Sequence, residues 1–385
     1  MRIKLPKKDK IINGFKALSA LRLEVSHATL IRGAALFLTL LIAMTVRLLP
    51  IRWGFYLSEF DPYYQYRLTK YIVNNGFTAW SSWRDIMGWY PFGRNVARTS
   101  FPGLPFTAAT FYMVLNALGV RLVLPDTLDP LLSDPVYNFC VIFPVIMGTL
   151  SCLAIYFLGK DIGGEAVGLF SAFFLALNPS YIGRTSLGFF DDETVGIFSI
   201  IVFITFFLRA IEERISLRKS LIYSIAAGLS LGYMTASWGA SRYPIAMTVV
   251  FVLLMLLMRK YSTKLLMSYS IIFGITLFIC VNIPYLGFRF LREVSILPVY
   301  GVLVLMCMIE TYQRIKTWRL KLLCSGGIIV LTVTVFVLLW MKGYIKPLEA
   351  KFLSILNPFV RKSYPLVESV AEHKPSAWGT FYYDL

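Results

Sequence analysis

Three consecutive carboxylates, Asp191, Asp192 and Glu193, follow an arginine in the stretch Arg184-Thr-Ser-Leu-Gly-Phe-Phe-Asp191-Asp192-Glu193-Thr194. Long apolar runs flank it on both sides. Adjacent acids repel one another, and beside a span they are costly unless they face water, a cation or a basic partner. A divalent metal would relieve the repulsion. The plainer reading is a solvated loop in which Asp191 caps the following helix and the acids sit favourably at its dipole. Two further acids stand in distant loops. Asp61 lies in Glu59-Phe-Asp61-Pro-Tyr-Tyr-Gln-Tyr-Arg67, and Glu372 in Glu368-Ser-Val-Ala-Glu372-His-Lys-Pro-Ser-Ala-Trp378-Gly. Singly, Asp61 reads as a helix cap and Glu372 as a loop acid. Together with Arg184 they suit a divalent cation beside a phosphate-bearing lipid, and hard oxygen ligands favour Mg²⁺ or Mn²⁺. On these grounds alone the chain is a membrane enzyme or a cation-coupled transporter. A transporter predicts acids inside broken spans near the midplane and repeat symmetry. Here the acids stand in loops, and no repeat is evident.

The elements that must position these residues are membrane helices. Hydrophobic residues make up 57% of the chain and charged residues 15%. Apolar runs of about 17–22 residues recur, as bilayer-spanning helices require. The expected spans are 33–49, 136–158, 165–182, 194–210, 220–236, 243–258, 265–283, 296–310 and 322–341. The net charge of +17 invites a nucleic-acid reading, but the basic residues fall in short segments between spans. That pattern is topology information, so no nucleic-acid partner is expected. The five cysteines lie in or beside apolar runs without metal-ligand spacing, and read as membrane-core residues without a disulfide framework. His27 and His373 are too few for a histidine metal site. No cleavable signal peptide is evident at the N-terminus.

Topology follows from parity. The basic tail 1–32 precedes the first span and is expected inside. The segment 103–118 is apolar but barely long enough to cross. If it stays out of the count, the basic loops 209–219, 259–264 and 311–321 all join the tail inside; if it crosses, all three fall outside. The expectation is therefore about nine transmembrane helices, with 50–135, 183–193 and 342–385 on the outer face. Asp61, Asp191–Glu193 and Glu372 can then reach one external site. Within this frame Asp61-Pro62 and Asp134-Pro135 read as cap-and-proline helix starts, and Asn74-Asn75-Gly76 as a helix stop. Gly228-Leu-Ser-Leu-Gly232 is a small-residue pattern that close helix packing explains. Trp89-Tyr90-Pro91-Phe92-Gly93-Arg94 and Phe101-Pro-Gly-Leu104 suggest an ordered loop at an interface rich in aromatic anchors.

Over nearly its whole length the sequence resembles the catalytic subunit of oligosaccharyltransferase, within the GT-C glycosyltransferases. The resemblance rests on five ordered motifs: the Asp61 motif, Trp89 to Arg94 with Phe101 to Leu104, Arg184 ahead of Asp191, Asp191-Asp-Glu193, and Ser369 to Trp378. It implies an all-α polytopic fold of GT-C type. It also implies transfer of a glycan from a polyprenyl or dolichyl (di)phosphate to the asparagine of Asn-X-Ser/Thr, with Mn²⁺ or Mg²⁺ as cofactor. By the same resemblance Asp61 is a metal ligand that touches the acceptor amide, and Asp191 and Glu193 hold the metal directly or through its surroundings. Asp192 fills a variable middle position. Arg184 serves the lipid phosphate or supports the acidic site. Glu372 sits on a mobile external loop and holds the acceptor asparagine. Trp89, Tyr90, Pro91, Gly93, Arg94 and His373 support the loop motifs.

The implied layout is a basic tail 1–32, a membrane domain 33–341 and the start of the mobile loop at 342–385. The family's later spans and its Trp-Trp-Asp-Tyr-Gly domain are not found in the sequence, which reads as an N-terminal portion expected to lack sequon recognition and, on its own, activity. The implied setting is a multi-pass plasma membrane with an external active site, or an endoplasmic-reticulum membrane in a eukaryote. Accessory subunits are left open. A protein O-mannosyltransferase-like enzyme is the second reading, against which Ser-Val-Ala-Glu372 argues.

Overall fold

Polar caps and glycine stops divide the apolar runs into helices. The structure, a computed structural model, describes residues 26–120, 122 and 131–344. Among the described residues the first helix, α1 (His27–Leu48), opens where the Ser26 hydroxyl accepts from the Thr29 N–H. In the long loop that follows lie α2 (Phe60–Asn75) and α3 (Gly103–Ala117). Asn75-Gly76 ends α2 as expected, with Gly76 at φ +82°, a conformation glycine adopts without strain. The expected cap at Asp61 is displaced: Glu59 occupies the cap position and Asp61 lies inside the first turn. A small antiparallel ribbon pairs Arg84 with Asn95 and Asp85 with Arg94, the one departure from an all-helical chain among the described residues.

Asp134-Pro135 starts α4 (Pro135–Leu177) as the sequence predicts, the Asp134 carboxylate accepting from the Val136 N–H. This helix is two helices across a kink at Gly163 and Gly164. Gly159 and Gly168 let the halves approach: a Cβ on Gly168 would meet the Tyr156 carbonyl, and one on Gly159 the Cα of Gly168. Then come α5 (Glu193–Ile211), α6 (Leu217–Ser237), α7 (Arg242–Leu257), α8 (Thr263–Asn282), α9 (Leu297–Arg314) and α10 (Trp318–Met341). Ser216 and Ser262 cap α6 and α8.

Among the described residues six helices are long and apolar enough to cross a membrane: α1, α4, α5, α7, α8 and α10. The expectation was about nine. The kinked α4 covers two expected spans. The other two are occupied by α6, which carries Arg218, Lys219 and several serines, and α9, which ends in Glu310 and Arg314. Both are helical but more polar than the six.

The packing centre is α6, which contacts α5 and α8 most extensively, while α1 packs along α4 and α4 along α5. Close approach of α6 and α8 uses the small residues the sequence singled out. A Cβ on Gly228 would crowd Ile272 and Ile275, and one on Gly232 would meet Ile279. The Thr276 hydroxyl donates to the Gly228 carbonyl at 3.1 Å. All five cysteines are free, and Cys140, Cys152 and Cys280 are buried.

Hydrogen bonds between loops sort the helix ends into two groups. At one end Arg209 pairs with Asp161, Lys264 Nζ donates to the carbonyls of Glu212, Glu213 and Ile215, and Tyr261 donates to Glu310. The basic loops gather there. At the other end Leu187 N–H donates to the Arg47 carbonyl, Ser58 N–H to the Gly188 carbonyl, and Arg242 pairs with Glu293 at 2.8 Å. Asp61 and the acidic stretch belong to this second end.

Candidate active site

The acidic stretch is built on buried aromatic residues. Phe189 and Phe190 are 5% and 0% exposed, and the Phe190 ring meets Phe143 edge-on at 5.6 Å. These anchors hold the carboxylates that follow at the mouth of the bundle. Gly188 precedes them at φ +87°, donating to the Val141 carbonyl and accepting from Ser58. Asp191, Asp192 and Glu193 are each partly buried.

The capping role considered for Asp191 is not realised. Its Oδ1 accepts from the Asp192 N–H at 2.8 Å, and its carbonyl, not its side chain, accepts from the Thr194 N–H. The residue at the cap position of α5 is Asp192, and its side chain caps nothing. Instead the Asp192 Oδ1 accepts from Gln65 Nε2 on α2 at 2.9 Å. Glu193 opens the helix with Arg184 Nη1 at 3.8 Å from its Oε1, a loose ion pair beyond hydrogen-bond distance. The Arg184 guanidinium lies 5.1 Å from the centre of the Phe189 ring.

On the other loop, α2 carries Asp61 on its exposed first turn. Several ties fix that helix. The Leu57 N–H donates to the Tyr137 hydroxyl at 3.0 Å. The Tyr66 hydroxyl and Lys70 Nζ both reach Asp134 Oδ2, at 2.5 and 2.8 Å. Arg67 makes a two-pronged pair with Asp85 at 3.0 and 2.6 Å. Burial acts to raise the Asp85 carboxyl, but the Arg67 bonds and charge outweigh it and hold it below the ordinary carboxylate range.

The acids influence one another through space. Burial, then the charges of Glu193 and Asp61, push the Asp191 carboxyl up to about 7. Asp192 is also raised, by burial first and then by Asp191, Glu193 and Asp61, while the Gln65 hydrogen bond pulls it back. A cation nearby would reverse both shifts, because it favours the ionised forms. In kind and in electrostatics this donor set fits a hard divalent ion. It is not a ready-made cage: among the described residues no three His, Cys, Asp or Glu converge to ligand distance. The structure thus brings Asp61 into the field of Asp191 and Asp192 without closing the expected triad of Asp61, Asp191 and Glu193. Glu372 and His373 lie outside the described residues.

The Trp89–Arg94 motif is a structural turn. Trp89 takes φ +56° and Gly93 φ +74°, and the Trp89 carbonyl accepts from both Phe92 and Gly93. Arg94 donates to Thr99 Oγ1, the Thr99 carbonyl and Ser100 Oγ, with its guanidinium over the Tyr64 and Trp89 rings. Through Tyr64, which bonds Ser100 at 2.7 Å, the motif braces the face of α2.

Two residues escaped the reading of the sequence. Gln65 stands one helical turn after Asp61, a spacing that puts both on one face of α2. Arg47 is a fully buried arginine at the end of α1, and an ionisable residue within a span is a signal in itself.

Residues 35–385 match the family model described as oligosaccharyl transferase STT3, N-terminal. Among curated relatives, the dolichyl-diphosphooligosaccharide–protein glycosyltransferase subunit STT3B of Oryza sativa subsp. japonica is 31% identical over 379 residues, covering 96% of this chain and 50% of its own. The chain spans about half the length of the curated relatives it matches. Among solved structures, the Archaeoglobus fulgidus oligosaccharyltransferase in its apo form superposes with a TM-score of 0.63 at 19% identity, covering 87% of this chain and 40% of that one. The same archaeal enzyme has been solved with an inhibitory peptide and a dolichol-phosphate (TM-score 0.60, 18% identity, 88% and 40% covered) and with Zn and sulfate (0.58, 19%, 80% and 40%). At these identities the likeness carries the fold.

Proposed function

The chain belongs to the oligosaccharyl transferase STT3 family, and from that premise we propose that it carries catalytic residues for N-glycosylation. The reaction is transfer of a glycan from a dolichyl-type (di)phosphate carrier to the asparagine of Asn-X-Ser/Thr. The observation that carries this reading is the tie between two distant acidic loops: Gln65, one helical turn after Asp61, donates to Asp192 at 2.9 Å, at one end of the bundle. The relatives' names and the dolichol-phosphate in the archaeal enzyme support the substrate class.

The nucleophile in such a transfer is a carboxamide nitrogen whose lone pair is delocalised. Twisting an amide out of conjugation costs about 18–20 kcal/mol in the peptide reference case. Carboxylates that accept from its two N–H groups offset part of that cost in the transition state. Asp61, exposed on its first turn, and Glu372 take that role. Asp61, Asp191 and Glu193 would hold a divalent cation, Mn²⁺ or Mg²⁺, which when bound polarises the leaving phosphate and neutralises its charge. Zn in the related enzyme supports a divalent ion of some kind. Arg184 is free enough of Glu193 to meet the lipid phosphate. Trp89, Tyr90, Pro91, Gly93, Arg94 and His373 support the loops that carry these groups.

We place the site on the outer face, opposite the basic loops, in a plasma membrane or an endoplasmic-reticulum membrane. The tail 1–32 lies inside, 33–341 forms the membrane domain with about nine spans, and 342–385 begins the mobile loop. Glycopeptide formation from lipid-linked sugar by the full-length protein, with and without Mn²⁺, tests the proposal. Asp61→Ala and Glu372→Gln are expected to lower it strongly. Unchanged yield in both variants, or metal-independent solute uptake by the wild type, would overturn it.

A further inference from the structure

Gln65 lies four residues after Asp61, so the two side chains share one face of α2. Gln65 is only 8% exposed. Its Nε2 donates to Asp192 Oδ1 at 2.9 Å, and its Oε1 is buried without a hydrogen-bond partner. Asp192 in turn sits between Asp191 and Glu193. This bond joins the helix that carries Asp61 to the middle of the acidic run, one helical turn from Asp61. On the other side of Asp61 in sequence, the Ser58 N–H and hydroxyl both donate to the Gly188 carbonyl, at 3.1 and 3.3 Å.

The chemistry of the donor matters here. Acids from two loops repel, so a group must hold the loops together without consuming their charge. A lysine or arginine at position 65 would neutralise the carboxylates and stand where a cation binds. An amide donates a hydrogen bond to an ionised acceptor and adds no charge of its own. Such bonds to charged groups are stronger than neutral ones. The hydrogen bond falls on the middle acid, so that the amide bears on the run between Asp191 and Glu193 without adding charge to either.

We propose that Gln65 and Asp192 are a pair of positioning residues, whose hydrogen bond sets the separation of Asp61 from Asp191 and Glu193. Asp192 is then a required acceptor rather than a bystander in the acidic run. The proposal rests on the reading that these acids hold a divalent cation.

Two readouts on the intact protein in detergent test it. The first is the shift of the thermal unfolding midpoint with Mn²⁺, which needs no substrate. The second is the Mn²⁺ dependence of glycopeptide formation. Gln65→Ala is expected to raise the Mn²⁺ concentration for half-maximal effect by about tenfold in both, as loss of one charge-assisted bond implies. Its midpoint without metal should fall far less than its metal response. Gln65→Glu sets a carboxylate against Asp192 and should impair more. Gln65→Glu with Asp192→Asn reverses the donor and acceptor and should restore the Mn²⁺ response to within about twofold of wild type, the ordinary spread of independent effects. A Gln65→Ala protein with the wild-type Mn²⁺ response overturns the proposal, as does a double variant no better than Gln65→Glu. A full-length wild type stabilised by Mn²⁺ that forms no glycopeptide overturns the transferase reading alone. A wild type indifferent to Mn²⁺ overturns this positioning role together with the metal reading.

Discussion

Arg47 Nε donates to Thr185 Oγ1 at 2.8 Å, fastening the end of α1 to the loop that leads into the acidic run. Nη1 of the same guanidinium donates to the carbonyls of Ala43 and Ala176, at 3.0 and 3.2 Å. The side chain is fully buried, and these partners are carbonyl and hydroxyl oxygens rather than a carboxylate. Thr185→Val keeps the shape and removes the acceptor, and should destabilise by about 1.5–3 kcal/mol. Arg47→Ala should cost more, because it also leaves a cavity. Unfolding of the single and double variants in detergent checks this. Coupling between the two is expected, and strictly additive losses would show that they act apart.

Arg67 and Asp85 give a pH prediction with a definite sign. The Asp85 carboxyl is held below its ordinary range in the folded protein. Its contribution to stability is then fully present above the unfolded value of about 3.9 and is lost as pH falls through the lower folded value. Asp85→Asn should flatten the acid limb of a stability-against-pH curve and leave the neutral region shifted by a constant amount. An acid limb that keeps its wild-type steepness would place the titrating group elsewhere. Since Arg67 is 44% exposed in its side chain, solvent screening keeps the effect modest.

Gly188 and Gly274 form a matched pair of glycine tests. Gly188 has φ +87°, and a Cβ there would collide with the Tyr56 carbonyl oxygen. Gly188→Ala is expected to destabilise by about 2 kcal/mol or more, from left-handed strain plus overpacking. It should also loosen the loop that carries the acids. Gly274 lies within α8 with open space around its added Cβ. Gly274→Ala should be neutral or slightly stabilising, as alanine favours helix. Equal unfolding midpoints for the two variants would contradict the close approach at Gly188.

Metal removal bears on the proposed chemistry directly. Chelation should lower glycopeptide formation at least about a hundredfold, given the several kcal/mol a metal contributes to transition-state charge. Added Mn²⁺ should restore it. Asp191→Ala should not be restored at the Mn²⁺ concentration that suffices for wild type. Full activity after exhaustive chelation would remove the metal from the mechanism.

Features set by a few adjacent residues were legible in the sequence. Asp134-Pro135 starts a helix, Asn75-Gly76 stops one, and the Gly228–Gly232 pattern marks a close helix contact. Each depends on local backbone geometry that the residue types themselves restrict. The start of α2 shifted by two residues because Glu59 could serve at the cap position without any side-chain bond. Partnerships across the fold were not legible. Gln65 meets Asp192 and Arg67 meets Asp85 because the loop folds back on itself, and nothing in either neighbourhood names the other. The sequence singled out Asp61, Asp191 and Glu193 by type, but the placement of the acidic run follows from packing at Phe190 and Gly188, which no local pattern announces. Arg47 was passed over because a single basic residue at the end of an apolar run resembles an interfacial anchor.

The glycine turn at Gly163 and Gly164 joins the halves of α4 so closely that they form a single hairpin. Both open ends of that hairpin must therefore emerge from the same leaflet. One end begins at Asp134, which is bonded to Tyr66 and Lys70 of α2, and the other leads through Arg184 to Asp191. The loop that carries Asp61 and the acidic run are thus bound to a common side by connectivity alone. A chain inserted the opposite way round would carry them across together, so an error of orientation during biogenesis would misplace the site without taking it apart.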